Sequence, residues 1–438
     1  VSTDNESTTA AGAGVRSRSR LVTLKWLGAL GILALLATGC GDDKPLNTFE
    51  PRGPHAERID NLMTALVYIM LIVGFGVMFV VLYIVFKNRV NGDTLDPNDL
   101  PEQTHGKPIL EVAWTIAPGL ILAAVAVPTA ATIVKLEEKN DPVDGIDVMV
   151  IGQQWWWEYR YDVNGNGFFL DLDGDGNTDN EQRLPLEVAL DPEDVVVANE
   201  LVFPVGEQID LIITSRDVIH SYWIPRLNGK RDAVPGRLHT WSIEANEQGK
   251  YTGWCTEFCG LSHARMRMSA IALPKAEYEQ WLANQMKLAE IPTDPDAMAG
   301  RAIFADNCSR CHAVNDGELD NHEDGIMGEL KAGAAPNLTH FATRSVYAGA
   351  IFSQYSGPGT DASDDALDVS QYLRLAEIAA GAQGPDDLRW DTDGLKDWIS
   401  DAPSQKDMAP DDQRGMPAFP QFDDEQLDQI VAYLATLD

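Results

Sequence analysis

From Leu62 to Phe86 the chain runs without a single charged residue. About 20 such residues span the hydrocarbon core of a bilayer, and backbone groups placed there must be satisfied within the segment, so the run can only be a helix. A second candidate extends from Ile109 to Val134, interrupted by Glu111, Pro118 and Pro128. Proline inside a membrane helix is tolerated where neighbouring helices satisfy the freed carbonyls, so this span is expected to pack against other protein. The two spans, about 62–86 and 109–134, form a helical hairpin joined by a polar loop near 87–108.

The residues before the hairpin carry a different signal. Arg16, Arg18, Arg20 and Lys25 precede an apolar stretch from Trp26 to Ala37, which is too short to cross a bilayer. It ends in Ala37-Thr38-Gly39-Cys40, followed by Asp42-Asp43-Lys44. This resembles a bacterial lipoprotein signal, which implies cleavage before Cys40 and its diacylation; Ala37 stands where that pattern usually has Leu. Loop charges (Lys87, Arg89 and Lys107 against Lys135 and Lys139) nearly tie under the positive-inside rule. An exported Cys40 decides the orientation and puts everything after about residue 140 outside the cytoplasm.

Beyond the hairpin the pattern changes to short β-rich segments, among them Ile146–Ile151, Val195–Phe203, Gln208–Thr214 and Trp241–Ala245. Short strands punctuated by Gly and Pro predict a sandwich or barrel. Residues 275–290 read as an amphipathic helix, Ile291–Pro295 as a linker, and a helical C-terminal domain starts near 297. With 438 residues several domains are expected, and a net charge of −34 argues against nucleic-acid binding. The acidic surface suits a basic partner such as a soluble cytochrome, and equally well serves solubility.

All five cysteines fall in three motifs, which leaves none for a structural disulfide. Besides Cys40, Cys255 and Cys259 sit in a C-x-E-x-C-x-x-x-H-x-x-M pattern with Glu257, His263 and Met266, and His220 lies upstream. Soft thiolates with imidazoles and a thioether select copper over hard cations. Ligands gathered in one loop hold a metal rigidly between oxidation states.

These residues resemble the dinuclear copper centre of cytochrome c oxidase subunit II, over roughly residues 55–285. The resemblance implies a cupredoxin-like copper A domain, with Cys255 and Cys259 bridging and His220 and His263 terminal. Met266 and the Glu257 carbonyl would be weak ligands, and the Glu257 carboxylate would bind magnesium at the contact with subunit I. The segment Gly152-Gln153-Gln154-Trp155-Trp156-Trp157-Glu158-Tyr159, Ile224-Pro225 and Val234-Pro235-Gly236-Arg237 match the same family. Trp155 resembles the residue proposed as the surface point where electrons arrive. Glu111 resembles a glutamate at the mouth of a proton-uptake path, in line with the functional weight of a carboxyl at membrane depth.

Cys308-Ser309-Arg310-Cys311-His312 is C-x-x-C-H, the attachment signature of c-type haem, with His312 as axial ligand. Met298–Asn307 before it and the apolar stripe Leu427, Ile430, Val431, Leu434 and Leu437 resemble the crossed terminal helices of an all-α class I cytochrome c. There the sixth ligand would be Met416, which raises the haem potential relative to a second His. Met327, Met408, His322 and His340 compete for that place. Residues 343–413 form an Asp-rich insertion longer than a minimal class I domain.

Asp171, Asp173, Asp175 and Asp179 alternate around a turn glycine as in calcium loops, but Gln182 stands at position 12 in place of the bidentate Glu.

The order of motifs resembles a cytochrome-c-fused, caa-type oxidase subunit II: signal segment 1–39, hairpin region 40–140, copper domain 141–275, helix and linker 276–296, cytochrome c domain 297–438. The resemblance implies partners in subunits I and III, and cytochrome c or a cytochrome bc complex as donor. It also implies residence in the bacterial plasma membrane with both redox domains outside. Two rivals remain: the electron-receiving subunit of a copper-A-type nitric oxide reductase, and a copper chaperone built on C-x-x-x-C. Nitrous oxide reductase needs a His-rich catalytic domain, which eight histidines disfavour.

Overall fold

The computed structural model describes residues 46–89, 105–137, 147–163, 195–316, 335–357, 369–382, 384, 387–409 and 414–438. Cys40, the aspartates of the calcium-type loop (Asp171, Asp173, Asp175, Asp179), His322 and Met327 lie outside the described residues.

Two long helices come first, α1 (Pro54–Lys87) and α2 (Pro108–Leu136), each with Pro in its first turn, where the missing N–H costs no hydrogen bond. Their apolar side chains are exposed over most of their length, as a lipid-facing surface requires. α2 matches the expected span to within two residues. α1 starts eight residues earlier than the charge-free run, and its first turns explain why. His55 and Ala56 are buried, Ala56 N–H donates to Leu227 O (3.1 Å), and Asn246 Nδ2 donates to the Glu57 carboxylate (2.9 Å). The helix thus begins on the β domain, where polar residues are satisfied by protein, and an apolar run marks only the part beyond.

The β domain stacks two sheets. The larger follows the order β3 (Val195–Ala198), β2 (Trp156–Tyr161), β1 (Asp147–Gln153), β5 (Ile209–Ser215), β8 (His239–Ile243), with β1 and β5 parallel. The smaller is β4 (Glu200–Pro204), β10 (Arg267–Leu273), β9 (Gly249–Trp254), and β6 (His220–Tyr222) pairs separately with β7 (Arg231–Ala233). Trp157, Tyr159 and Tyr161 alternate along β2 into the core between the sheets. Tyr161 couples them: its hydroxyl donates to Val202 O (2.9 Å) and accepts from Val202 N–H (2.7 Å).

The sequence reads Val195–Phe203 as one strand, and the structure breaks it at Asn199, whose φ of 66° is left-handed. The reversal moves the chain from the larger sheet to the smaller, and Asn199 stays bonded to β2 through Trp157 O (2.8 Å). Asn tolerates this conformation better than most residues, so one apolar run serves two sheets.

The expected helix 275–290 is shorter, α3 (Lys275–Gln285), and it packs Trp281 edge-on to Tyr161 (5.3 Å between centroids). In the C-terminal region α4 (Pro295–Asn307) is capped by the Asp294 side chain, and the last helix, Asp424–Leu434, by a capping box of Asp423 and Gln426. These two cross at Gly300, where a Cβ would lie 2.5 Å from the Gln429 carbonyl carbon, and Phe304 meets Tyr433 edge-on (5.4 Å).

The stretch read as an insertion is not purely helical. Between α5 (Leu375–Ala379) and its neighbours lie paired two-residue strands, Val346–Tyr347 with Phe352–Ser353 and Tyr355–Ser356 with Arg389–Trp390. Helix α6 (Thr392–Gln405) follows, kinked at Asp401 ahead of Pro403, and the last helix is α7. This segment fastens the C-terminal region to the β domain. Buried Glu200 on β4 accepts from Ser345 N–H (3.0 Å) and from the Tyr372 hydroxyl (2.7 Å).

Candidate metal centre

The loop between β9 and β10 carries the thiols. Its two ends are closed by Cys255 N–H to Met266 O (3.0 Å), and its start is tied to β6 by Thr256 N–H to Ser221 O (3.1 Å). That second bond brings His220 to the loop.

The sequence-predicted ligands converge in a nearly symmetrical cluster. Cys255 Sγ and Cys259 Sγ are 3.7 Å apart. Cys255 Sγ lies 3.9 Å from His220 Nδ1 and 3.3 Å from Glu257 O. Cys259 Sγ lies 3.6 Å from His263 Nδ1 and 3.8 Å from Met266 Sδ. Each sulfur therefore has one imidazole and one weaker donor beside it. His220, Cys255 and Cys259 are buried, and their donor atoms fall within 4.8 Å of one another. The donor chemistry and the spacing fit soft metal ions held between the two sulfurs.

Asp217 is the residue that motif reading passed over, although it stands three before His220 in the sequence. Its Oδ1 is 2.8 Å from His220 Nε2, which fixes the proton on Nε2 and turns the Nδ1 lone pair toward Cys255. Asp217 is itself held by N–H donors of Gln154 and Val218, both at 2.6 Å. Gly152 completes the seat, since a Cβ there would come within 2.7 Å of the His220 ring.

The two thiols titrate as a pair. The neighbouring Cys259 thiol, helped by His220, holds Cys255 down to about 4 against the opposing effect of burial. Proximity to Cys255 and burial push Cys259 well above the usual thiol range. One proton is shared between them, and binding a metal ion there would release it. Burial lowers the His220 imidazole, but Asp217 and Cys255 outweigh it and leave the ring raised.

Trp155 is buried, with 4% of its surface exposed, rather than lying at the surface. Its indole N–H donates to Cys259 O (3.0 Å), and its own carbonyl is covered by the Lys406 ammonium (2.8 Å). The covering residue comes from the segment read as an insertion, which explains the difference. The Glu257 side chain is exposed, as are Ile219, Phe258 and Leu261, and Phe258 meets the half-buried His263 edge-on (5.7 Å between centroids).

In the C-terminal region Cys308 and Cys311 lie at the end of α4 and His312 Nδ1 is 2.8 Å from Pro336 O, which orients the ring. Met416 is half-buried and its N–H faces Met408 Sδ (3.2 Å). His340 is taken out of the competition for a sixth ligand: its ring nitrogens face Asp438 O (2.6 Å) and Lys287 O (3.1 Å). Glu111 is exposed in the first turn of α2.

Family models agree with the layout. The model for the "Cytochrome C oxidase subunit II, transmembrane domain" matches residues 46–131, and that for the periplasmic domain of the same subunit matches 146–272. A cytochrome c oxidase subunit 2 from Alkalihalophilus pseudofirmus is 30% identical over 416 residues, which covers 93% of this chain and 95% of that protein. One from Bacillus sp. strain PS3 is 31% identical over 73% of this chain and 83% of its own. The solved periplasmic domain of oxidase subunit II from Bradyrhizobium japonicum is 24% identical, covering 34% of this chain and 95% of that one, with a TM-score of 0.26. The first of these matches extends well beyond both family models, into the C-terminal region. The chain belongs to the cytochrome c oxidase subunit II family: two membrane-spanning helices, then a cupredoxin-like domain, in a subunit of a cytochrome-c oxidase.

Proposed function

We propose that this chain is the electron-delivering subunit of a proton-pumping oxidase. In this reading it takes electrons from cytochrome c or a cytochrome bc complex at a haem c of its own, and passes them through a dinuclear copper centre to subunit I for reduction of oxygen to water. One observation carries it: the two thiols 3.7 Å apart, each flanked by an imidazole and a weaker donor. Cys255 and Cys259 would bridge the coppers, His220 and His263 would cap them, and Met266 and the Glu257 carbonyl would complete the set. Bound there, the copper pair supplies one-electron chemistry with little rearrangement. Burial of Cys255, Cys259 and His220 keeps water from the sulfurs, and Asp217 holds His220 in the ligating tautomer.

The region from about 297 is read as a class I cytochrome c domain. The crossing of α4 and α7 at Gly300 and the His312–Pro336 hydrogen bond (2.8 Å) support it. Cys308 and Cys311 would carry the haem, with His312 and Met416 as axial ligands. Ile219, Phe258 and Leu261 are exposed apolar side chains that would suit contact with subunit I, and the exposed Glu257 carboxylate would share magnesium there. Subunit III would complete the membrane assembly, and the bacterial plasma membrane is its expected site, with both redox domains outside and a lipid on Cys40. Family membership favours the oxidase reading over the nitric oxide reductase and chaperone readings.

Purified complex carrying Cys308→Ser and Cys311→Ser tests the reading. The expected result is loss of covalently bound haem and of oxygen uptake driven by reduced cytochrome c, with the copper spectrum retained. Undiminished uptake would contradict it.

A further inference from the structure

Two residues at the end of α6, one on each side of Lys406, grip the copper loop. Gln405 O accepts from the Arg265 guanidinium, the neighbour of Met266, and Asp407 O accepts from the Ser262 hydroxyl, the neighbour of His263. Between them the Lys406 ammonium, 4% exposed, donates to Trp155 O and to Ala348 O, both at 2.8 Å. Trp155 in turn donates its ring N–H to Cys259 O (3.0 Å), so a short chain of hydrogen bonds leads from the cation to a copper-binding residue.

The pocket around this ammonium is built. Ala348, Gly349 and Ala350 have φ of 55°, 78° and 56°, a left-handed run that non-glycine residues seldom adopt. The run turns the Ala348 carbonyl onto Lys406, and at Gly349 a Cβ would sit 2.5 Å from both Lys406 Nζ and Trp155 O. No carboxylate pairs with Lys406 among the described residues. A buried cation held only by carbonyl dipoles is costly, and neither solvent nor salt screens its field effectively. Burial draws the ammonium down to about 7, opposed by the nearby Cys259 sulfur.

We propose that Lys406 is a positioning residue for the copper centre: its charge, strapped beneath Cys259 through Trp155, raises the reduction potential there. An arriving electron makes the site less positive, and a fixed cation alongside favours that state. Electrons from the C-terminal domain then settle on the copper side. This inference rests on the dinuclear copper reading above.

Purified full-length oxidase carrying Lys406→Gln or Lys406→Arg tests it by spectroelectrochemical titration of copper and haem on the acid side of neutral, which favours the charged lysine. Gln keeps a donor for the Trp155 carbonyl without the charge. The expected result for K406Q is a tenfold shift of the electron-sharing equilibrium from copper toward haem, about 59 mV for a one-electron couple. K406R should stay within about twofold of wild type, and both variants should keep the wild-type copper hyperfine pattern. A wild-type equilibrium in K406Q would overturn the proposal, as would a shift in K406R as large as that in K406Q. Absence of a two-copper signal in the wild-type enzyme would instead sink the underlying reading.

Discussion

Asp217 Oδ1 lies 2.8 Å from His220 Nε2, on the side of the ring opposite Cys255. The carboxylate therefore selects which nitrogen carries the proton and points the other at the sulfurs. Outer partners of this kind are typically worth 10- to 100-fold in metal affinity. Asp217→Ala is expected to lower copper affinity by about that factor in competition with a chelator. Unchanged affinity would show that the loop alone orients the ring.

The metal-free thiol pair makes a second prediction. With Cys255 held down to about 4 and Cys259 pushed up, the pair carries one negative charge at neutral pH. Copper-depleted protein should show the ultraviolet absorbance of a single thiolate that persists well below the ordinary thiol range and is lost only in acid. Cys255→Ser should abolish that low-pH step. Two ordinary thiols titrating together in the alkaline range would contradict it.

Glu158 on β2 is buried with Arg160 at 2.6 Å and Arg216 at 3.8 Å, and accepts from Gln153 (2.8 Å). Burial alone raises its carboxyl, but the two guanidiniums outweigh burial and leave it below its ordinary 4.5. A lowered folded-state pKa means stability present above the unfolded value and lost as pH falls through the folded one. Glu158→Gln removes the carboxylate from two buried cations and is expected to cost about 3–5 kcal/mol, read by thermal unfolding. The variant should also lose the Glu158 contribution to acid-side destabilisation. A cost below about 1 kcal/mol would mean that water reaches these charges.

Glu111 stands in the first turn of α2, exposed on a helix whose own chain leaves its flanks uncovered. Such a carboxyl needs a partner subunit or a water path. Glu111→Gln should slow oxygen turnover while the copper and haem spectra stay unchanged. Turnover equal to wild type would remove Glu111 from the proton path.

The cluster of candidate ligands was legible because a soft metal demands particular residue types at close spacing, so one loop announces them. His220 was legible by resemblance alone, and the structure shows why it belongs: β6 is tied to the loop at Ser221. Asp217 was in plain view, yet a carboxylate three residues before a histidine has no signature until the ring is placed. The contact between Lys406 and Trp155 joins residues 251 apart in sequence, and that between Glu200 and Ser345 joins residues 145 apart. No local pattern encodes either, and so the segment read as an insertion proved to be the clasp between two domains. The break at Asn199 was hidden for another reason: a near-continuous apolar run looks the same whether a strand stays in one sheet or crosses to the next.

The most direct test of the account is the electron paramagnetic resonance spectrum of the purified, copper-loaded protein. The account predicts a hyperfine pattern shared equally by two coppers, lost when either Cys255 or Cys259 is replaced by serine. The pattern of a single cupric ion in the wild-type protein would contradict it.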